Sequence, residues 1–157
     1  MVQVVTVLIV LCLTMLDQAI KSAVIKNLAP IEKIVVIKDI FQLRYVENTG
    51  AIFGSFQSGA KILAVITLVI ILVTLYLLVF NKIKNRFLYG CLVLIVAGGI
   101  GNLVDRFTKG FVVDYFEPLF VNFAIFNFAD CLITVGAFSM AGYLIFDIIR
   151  DMRKAKE

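Results

Sequence analysis

Three aspartates (Asp105, Asp114, Asp130), one arginine (Arg106) and three asparagines (Asn102, Asn122, Asn127) that could carry chemistry lie within Gly98–Asp130. The stretch begins in one apolar run and ends in another. Ionisable groups beside hydrocarbon are costly, so they mark a site or a partner. Asp114 and Asp130 flank the start of the last apolar run. If their carboxylates meet, repulsion lets them share one proton and splits their apparent pKa values. One can then activate a water as general base, while the other protonates the leaving group or polarises a carbonyl. That is aspartyl peptide hydrolysis, which needs neither histidine nor metal nor cofactor. From spacing alone, a catalytic pair, a structural polar cluster and an ion or proton path all stay open.

The chain has no histidine. Ser-His and Cys-His nucleophile pairs, HExxH zinc sites and histidine relays are therefore excluded. The three cysteines, Cys12, Cys91 and Cys131, each sit in an apolar run and form no CxxC pair. They read as small buried residues, with no disulfide framework and no metal site. The net charge of +4 is small and scattered, which argues against nucleic acid and for loop charges that set membrane topology.

The 157 residues are 62% hydrophobic, with a mean hydropathy of +1.03. A soluble domain is roughly 45–50% apolar, so the composition indicates a single integral membrane domain spanning residues 1–157. Four apolar runs suffice to cross a bilayer as helices, which takes about 20 residues each: about 2–25, 60–80, 87–104 and 124–149. The N-terminus lacks a basic region and a small-x-small cleavage site, so the first run is expected to stay attached as a helix. Lys82, Lys84 and Arg86 link the second and third runs, and Arg150, Arg153, Lys154 and Lys156 follow the fourth. Positive charge favours the cytoplasmic side. Both termini are thus expected inside, with residues 26–59 and 106–123 outside or in the outer interface.

Within this frame, Asp17 and Lys21 share a helix face four residues apart, in the favourable order. The pair could pin the first helix near the interface or brace a polar site. Outside the membrane, Phe41, Leu43 and Tyr45 alternate with Gln42 and Arg44, as in a half-buried strand. Ile34–Ile37 could pair with it, with Lys38-Asp39 at the turn, and Asn48-Thr49-Gly50 reads as a tight turn. The expected fold is an all-α bundle of four transmembrane helices with a small extracytoplasmic β-sheet between the first two, over about 30–56. Such a sheet could rest on lipid or a lipid-bearing ligand, or simply cap the helix ends. The third run collects small residues, Ala97-Gly98-Gly99-Ile100-Gly101, which let helices approach closely. Asn102, Asp105 and Arg106 follow on one face. Lys109-Gly110 reads as a turn, and Asp114 sits in a loop among apolar and aromatic groups that should raise its pKa. Asn127 and Asp130 share a face at the start of the fourth run.

These blocks resemble bacterial lipoprotein signal peptidase (signal peptidase II). They are Asn48-Thr49-Gly50-Ala51 with Phe53-Gly54, Gly98 through Arg106, Val112-Val113-Asp114-Tyr115 and Phe126-Asn127-Phe128-Ala129-Asp130. Their order and spacing, the four runs and the chain length all agree; Tyr115, where phenylalanine is common, is a mild departure. The resemblance implies that Asp114 and Asp130 are catalytic and that Asn102 and Asn127 orient them or the substrate. It implies that Asp105 and Arg106 shape the site, Arg106 also holding substrate backbone. Asn48 and Gly50 would contact substrate from the sheet, and Asp17 and Lys21 would support the site from the first helix. The substrate would be a prolipoprotein carrying diacylglycerol on its cysteine, cut just before that cysteine, with Phe53 and Phe56 covering it. Membrane lipid and cyclic peptide inhibitors such as globomycin would be further partners. The expected place is the bacterial cytoplasmic membrane, as a monomer, with the site near the outer face. The GxGD pattern of presenilin-like proteases is absent, since Asn102 follows Gly101, and rhomboid-like enzymes need a histidine. A small proton-coupled transporter using the same acids, or a non-catalytic lipid-binding protein, are the alternatives. Polar residues cluster at one side of the membrane and the second run has almost none, which favours the enzyme.

Overall fold

The computed structural model describes residues 2–50, 59–80 and 82–154. Ala51, Phe53 and Gly54 of the resembling blocks and Phe56, expected with Phe53 to cover the substrate, lie outside the described residues, as do Asn81 and Lys156. The described residues form four helices: α1 (Val2–Asn27), α2 (Gly59–Val79), α3 (Arg86–Thr108) and α4 (Phe128–Lys154). Among the described residues, α1, α3 and α4 are long and apolar enough to cross a membrane, and Ala64–Val79 of α2 is a shorter apolar stretch. Val4, Leu8, Leu11 and Met15 of α1 and Phe138 and Ile145 of α4 point outward and exposed. Such surfaces suit hydrocarbon, where a helix satisfies its own backbone.

The centre of the bundle is α3, which packs against α1, α2 and α4. Its start is set by Asn85, whose side-chain oxygen accepts from the Phe87 and Leu88 N–H groups at 2.9 and 3.1 Å. This is ordinary N-capping. Val96 and Ala97 are fully buried, with Val93, Leu103, Ile71 and Leu78 around them. The small residues of α3 let α4 come close. A Cβ on Gly98 would strike the Ala129 carbonyl, and one on Gly136 would lie 2.7 Å from the Cys91 carbonyl oxygen.

Among the described residues the sheet has three antiparallel strands in the order β1 (Lys33–Ile37), β2 (Phe41–Asn48), β3 (Val112–Pro118). The first hairpin lies where the alternation placed it. The third strand does not: the segment after Lys109-Gly110, expected as a loop, adds to β2, with Asp114 opposite Val46 and Val112 opposite Asn48. Its Val-Val-Asp-Tyr-Phe composition suits a strand, but its partner is some 66 residues away in the chain, so no local pattern announces the pairing. The fourth helix also begins later than the expected 124. Phe126 trades backbone hydrogen bonds with Phe116 at 2.8 and 3.1 Å, which holds it extended beside β3. Val113 and Tyr115 bury against Leu28, Ile20 and Val24, seating the sheet on the end of α1.

The close α3–α4 crossing gives a paired prediction. Gly98→Ala should destabilise the protein by roughly 1–3 kcal/mol, because the obstacle is backbone and cannot swing away. Gly90→Ala, where a Cβ meets nothing within 4 Å, should be neutral or stabilising by up to about 1 kcal/mol. Thermal melting in detergent checks both, and equal melting temperatures would contradict the packing described.

Candidate active site

The site grows from the first turn of α4. Asn127 is its N-cap: the side-chain oxygen accepts from the Asp130 N–H at 3.0 Å, and the Asp130 carboxylate accepts from the Asn127 N–H at 3.1 Å. This reciprocal pair is a capping box. The two remaining free N–H groups of the turn are met from other elements. Phe128 donates to the Tyr115 hydroxyl on β3 at 3.2 Å, and Ala129 donates to the Asp17 carboxylate on α1 at 3.1 Å. Asp130 therefore enters the site from a helix end anchored on three sides.

The Asn127 amide, fully buried, also ties the two carboxylates together. Its Nδ2 donates to Asp114 at 2.6 Å and to the Asn102 side-chain oxygen at 3.1 Å. Asn102 in turn donates to Asp130 at 2.8 Å. The other Asp114 oxygen accepts from Asn48 Nδ2 at 2.8 Å. Asn48 is oriented by its own turn, since its oxygen accepts from the Gly50 N–H at 2.8 Å. Gly50 has φ +77°, a conformation glycine adopts at little cost. Asp114, Asp130, Asn102, Asn127 and Asn48 thus form one connected cluster, with Asp114 only 2% exposed.

Behind it lies a second, charged layer. Lys21, fully buried, spends its three N–H groups on Asp17 at 2.9 Å, Asp105 at 3.0 Å and Asn102 at 2.9 Å. Asp105 also accepts from the Val113 N–H at 3.1 Å and pairs with Lys109 at 2.5 Å. So Asp105 faces away from the carboxylate pair and fastens α3 to α1 and β3. Arg106 stands at the edge, its Nη1 3.5 Å from the Asn102 carbonyl. It is within electrostatic reach of Asp130, Asp114 and Asp105, and its Nε is buried with no partner among the described residues.

Three contributors had no expected part in the site: Tyr115, named only within a resembling block, Lys109, named only in a turn, and Gln18. Gln18 donates to Asp17 and to the Gly101 carbonyl at 3.1 and 3.0 Å. Lys109 was detectable as the residue four beyond Asp105, and Gln18 as a polar residue in an apolar run. The Tyr115 hydroxyl contact depends on a tertiary approach and left no local signal.

Burial pushes the Asp114 carboxyl from its usual 3.8 up to about 6, and the nearby Asp130 charge adds to this; the Asn48 and Asn127 amides and Lys21 oppose it.

Structure and site define a multi-pass membrane protein with a buried carboxylate site at one end of its helices. Residues 9–146 match the family model for signal peptidase (SPase) II. The chain is 38% identical over 142 residues to a lipoprotein signal peptidase of Clostridioides difficile, covering 89% of this chain and 94% of that one. It is 41% identical over 141 residues to one from Caldanaerobacter subterraneus, covering 89% and 95%. A solved bacterial membrane enzyme, determined by the in meso method at 1.9 Å, superposes with a TM-score of 0.79 at 26% identity, over 89% of this chain and 92% of the other. The chain belongs to the signal peptidase II family and is a membrane peptidase.

Because the folded pKa of Asp114 is raised, the folded chain keeps a proton that the unfolded chain releases. Stability from this group is full below about 3.8 and is lost as pH rises through about 6, by about 3 kcal/mol at most. Asp114→Asn cannot titrate. Its melting temperature should fall less between pH 4 and 7 than that of the parent chain; an equally steep fall would contradict the buried-acid account.

Proposed function

We propose that Asp114 and Asp130 are the catalytic pair of an aspartyl endopeptidase. Family membership gives the coarse activity, removal of signal peptides from lipoprotein precursors. The finer reading is that the substrate is a diacylglyceryl-modified prolipoprotein, cut on the N-terminal side of its lipidated cysteine. The observation that carries the reading is the Asn127 bridge, which bonds to Asp114 through its amide and to Asp130 through its backbone N–H. Two carboxylates so linked favour a single shared proton.

Charge balance suggests where that proton rests. In the rear layer Asp17 and Asp105 are offset by Lys21 and Lys109. In the front layer Arg106 can offset one carboxylate, and Asp114 is the more buried of the two. A neutral Asp114 and an ionised Asp130 leave both layers balanced. Asp130 then takes a proton from water as the water oxygen adds to the scissile carbonyl, while the Asp114 hydroxyl donates to the carbonyl oxygen. Collapse of the tetrahedral intermediate breaks the C–N bond, and one hydroxyl of the intermediate returns its proton to Asp114 as the C=O of the new carboxyl group re-forms. The proton held by Asp130 passes to the departing nitrogen, which becomes the amino group of the lipidated cysteine. Arg106, with spare N–H capacity, would hold substrate backbone, and Asn48 and Gly50 would border the substrate from β2.

The basic residues Lys82, Lys84, Arg86, Arg150, Arg153 and Lys154 gather at the helix ends away from the carboxylates. This supports cytoplasmic termini and a site near the outer face of a bacterial cytoplasmic membrane. In this proposal the chain acts as a monomer. Cyclic peptides such as globomycin would compete for the same carboxylates. The relatives are named as peptidases, so the comparisons lend the transporter alternative no support.

Asp114→Asn and Asp130→Asn should each lower cleavage of a lipidated precursor by at least roughly 100-fold. Each should still fold, as judged by melting in detergent, since an asparagine keeps one acceptor oxygen. Full turnover in either variant would sink the mechanism.

A further inference from the structure

At the end of the bundle away from the carboxylates, two cavities meet. One, of about 680 Å³, lies between α1 and α3 and is walled by Val2, Val5 and Ile9 from α1 and Phe87, Gly90 and Leu94 from α3. The other, of about 520 Å³, is bordered by Ile83, Lys84 and Arg86. They share Val2, Arg86 and Tyr89, so an apolar cleft opens into a cationic mouth. Both volumes fall in the range of small-molecule sites.

The cleft is built into the helices. At Gly90 a side chain would meet only open space, and this leaves the α3 wall hollow. A hydrogen bond of 2.9 Å between the Thr6 and Tyr89 hydroxyls closes the inner side. The mouth is positive and unspent: Lys84 and Arg86 are exposed and have no acidic partner among the described residues. The nearby acids of α4, Asp147 and Asp151, are engaged by Arg150. The first turn of α3 adds its own partial positive charge at the mouth. Residues 86 and 102 are 16 apart on α3, which puts the mouth about 24 Å from the carboxylate cluster.

We propose that this composite cavity binds one anionic glycerophospholipid of the surrounding membrane. The phosphate sits between Lys84 and Arg86, and an acyl chain lies in the cleft along α1 and α3. A neutral lipid would leave the two cations without a counter-charge, and a water-soluble anion would leave the apolar cleft unfilled. The bound lipid would complete the contact between the first turns of α1 and α3. The proposal rests on this cavity alone and stands or falls separately from the peptidase mechanism.

The test is native mass spectrometry of the full chain released from nanodiscs containing equal amounts of phosphatidylglycerol and phosphatidylcholine. One phosphatidylglycerol per chain should be retained in clear excess over phosphatidylcholine. Each cation near an anionic headgroup strengthens binding roughly five-fold, so Lys84→Gln with Arg86→Gln should reduce that retention by about ten-fold or more. Gly90→Leu, which fills the cleft while leaving the charges, should also reduce it. Arg153→Gln with Lys154→Gln, which removes equal charge from the same end, should change it by less than about two-fold. Equal retention of the two lipids by the parent chain would overturn the proposal. So would an equal loss in the Arg153/Lys154 variant, which would mean diffuse attraction, or full retention in the Lys84/Arg86 variant. If Gly90→Leu failed to fold, the two charge variants, altered only at exposed side chains, would still decide it.

Discussion

A buried primary amide must place one acceptor and two donor hydrogens, and each one left unmade costs roughly 1–3 kcal/mol. Asn127 meets this demand in one arrangement: its oxygen caps α4 and its nitrogen reaches Asp114 and Asn102. The rest of the site follows from it. Cap geometry puts Asp130 three residues on, facing back to the Asn127 backbone. The amide plane then sets how far β3 stands from the helix, and so where Asp114 lies. Asn102 completes the ring by bonding both Asn127 and Asp130.

The rear layer has a positional role more than a stabilising one. Buried ion pairs often contribute little net stability, because desolvation offsets their attraction. Lys21, Asp17 and Asp105 nevertheless join α1, α3, β3 and the first turn of α4 through single side chains. Removing one partner would strand a charge and release an element. Close packing reinforces this: a Cβ on Gly101 would stand 2.6 Å from the Asp17 carboxylate. The small residues of α3 thus leave room for a polar group as well as for a neighbouring helix.

Much of this was legible in the sequence because it is local. Apolar runs announce helices, and alternation over 41–47 announces β2. Asn127 and Asp130 have the spacing of a capping box, although the apolar run suggested a helix beginning earlier. What sequence could not show is tertiary. The strand status of Val112–Pro118 depends on distant β2, and the same holds for the Tyr115 bond to Phe128 and the Asp17 bond to Ala129. Asn102, Asp105 and Arg106 share a helix face, yet Asp105 turns to Lys21 and Lys109 while Asn102 turns to Asp130. Spacing gave the shared face; Lys21 touches both Asp105 and Asn102, and only the positions of Lys109, Val113 and Asp130 divide them.

The central claim is that one proton is held by a coupled pair, resting on Asp114. Infrared spectroscopy of the carboxylic-acid C=O stretch, followed by pH titration of the full chain in detergent, tests it directly. The account predicts one protonated-carboxyl band that titrates near pH 6, vanishes in Asp114→Asn, and shifts to a lower midpoint in Asp130→Asn, where the neighbouring negative charge is gone. A band that survives in Asp114→Asn, or a midpoint unmoved in Asp130→Asn, would contradict it.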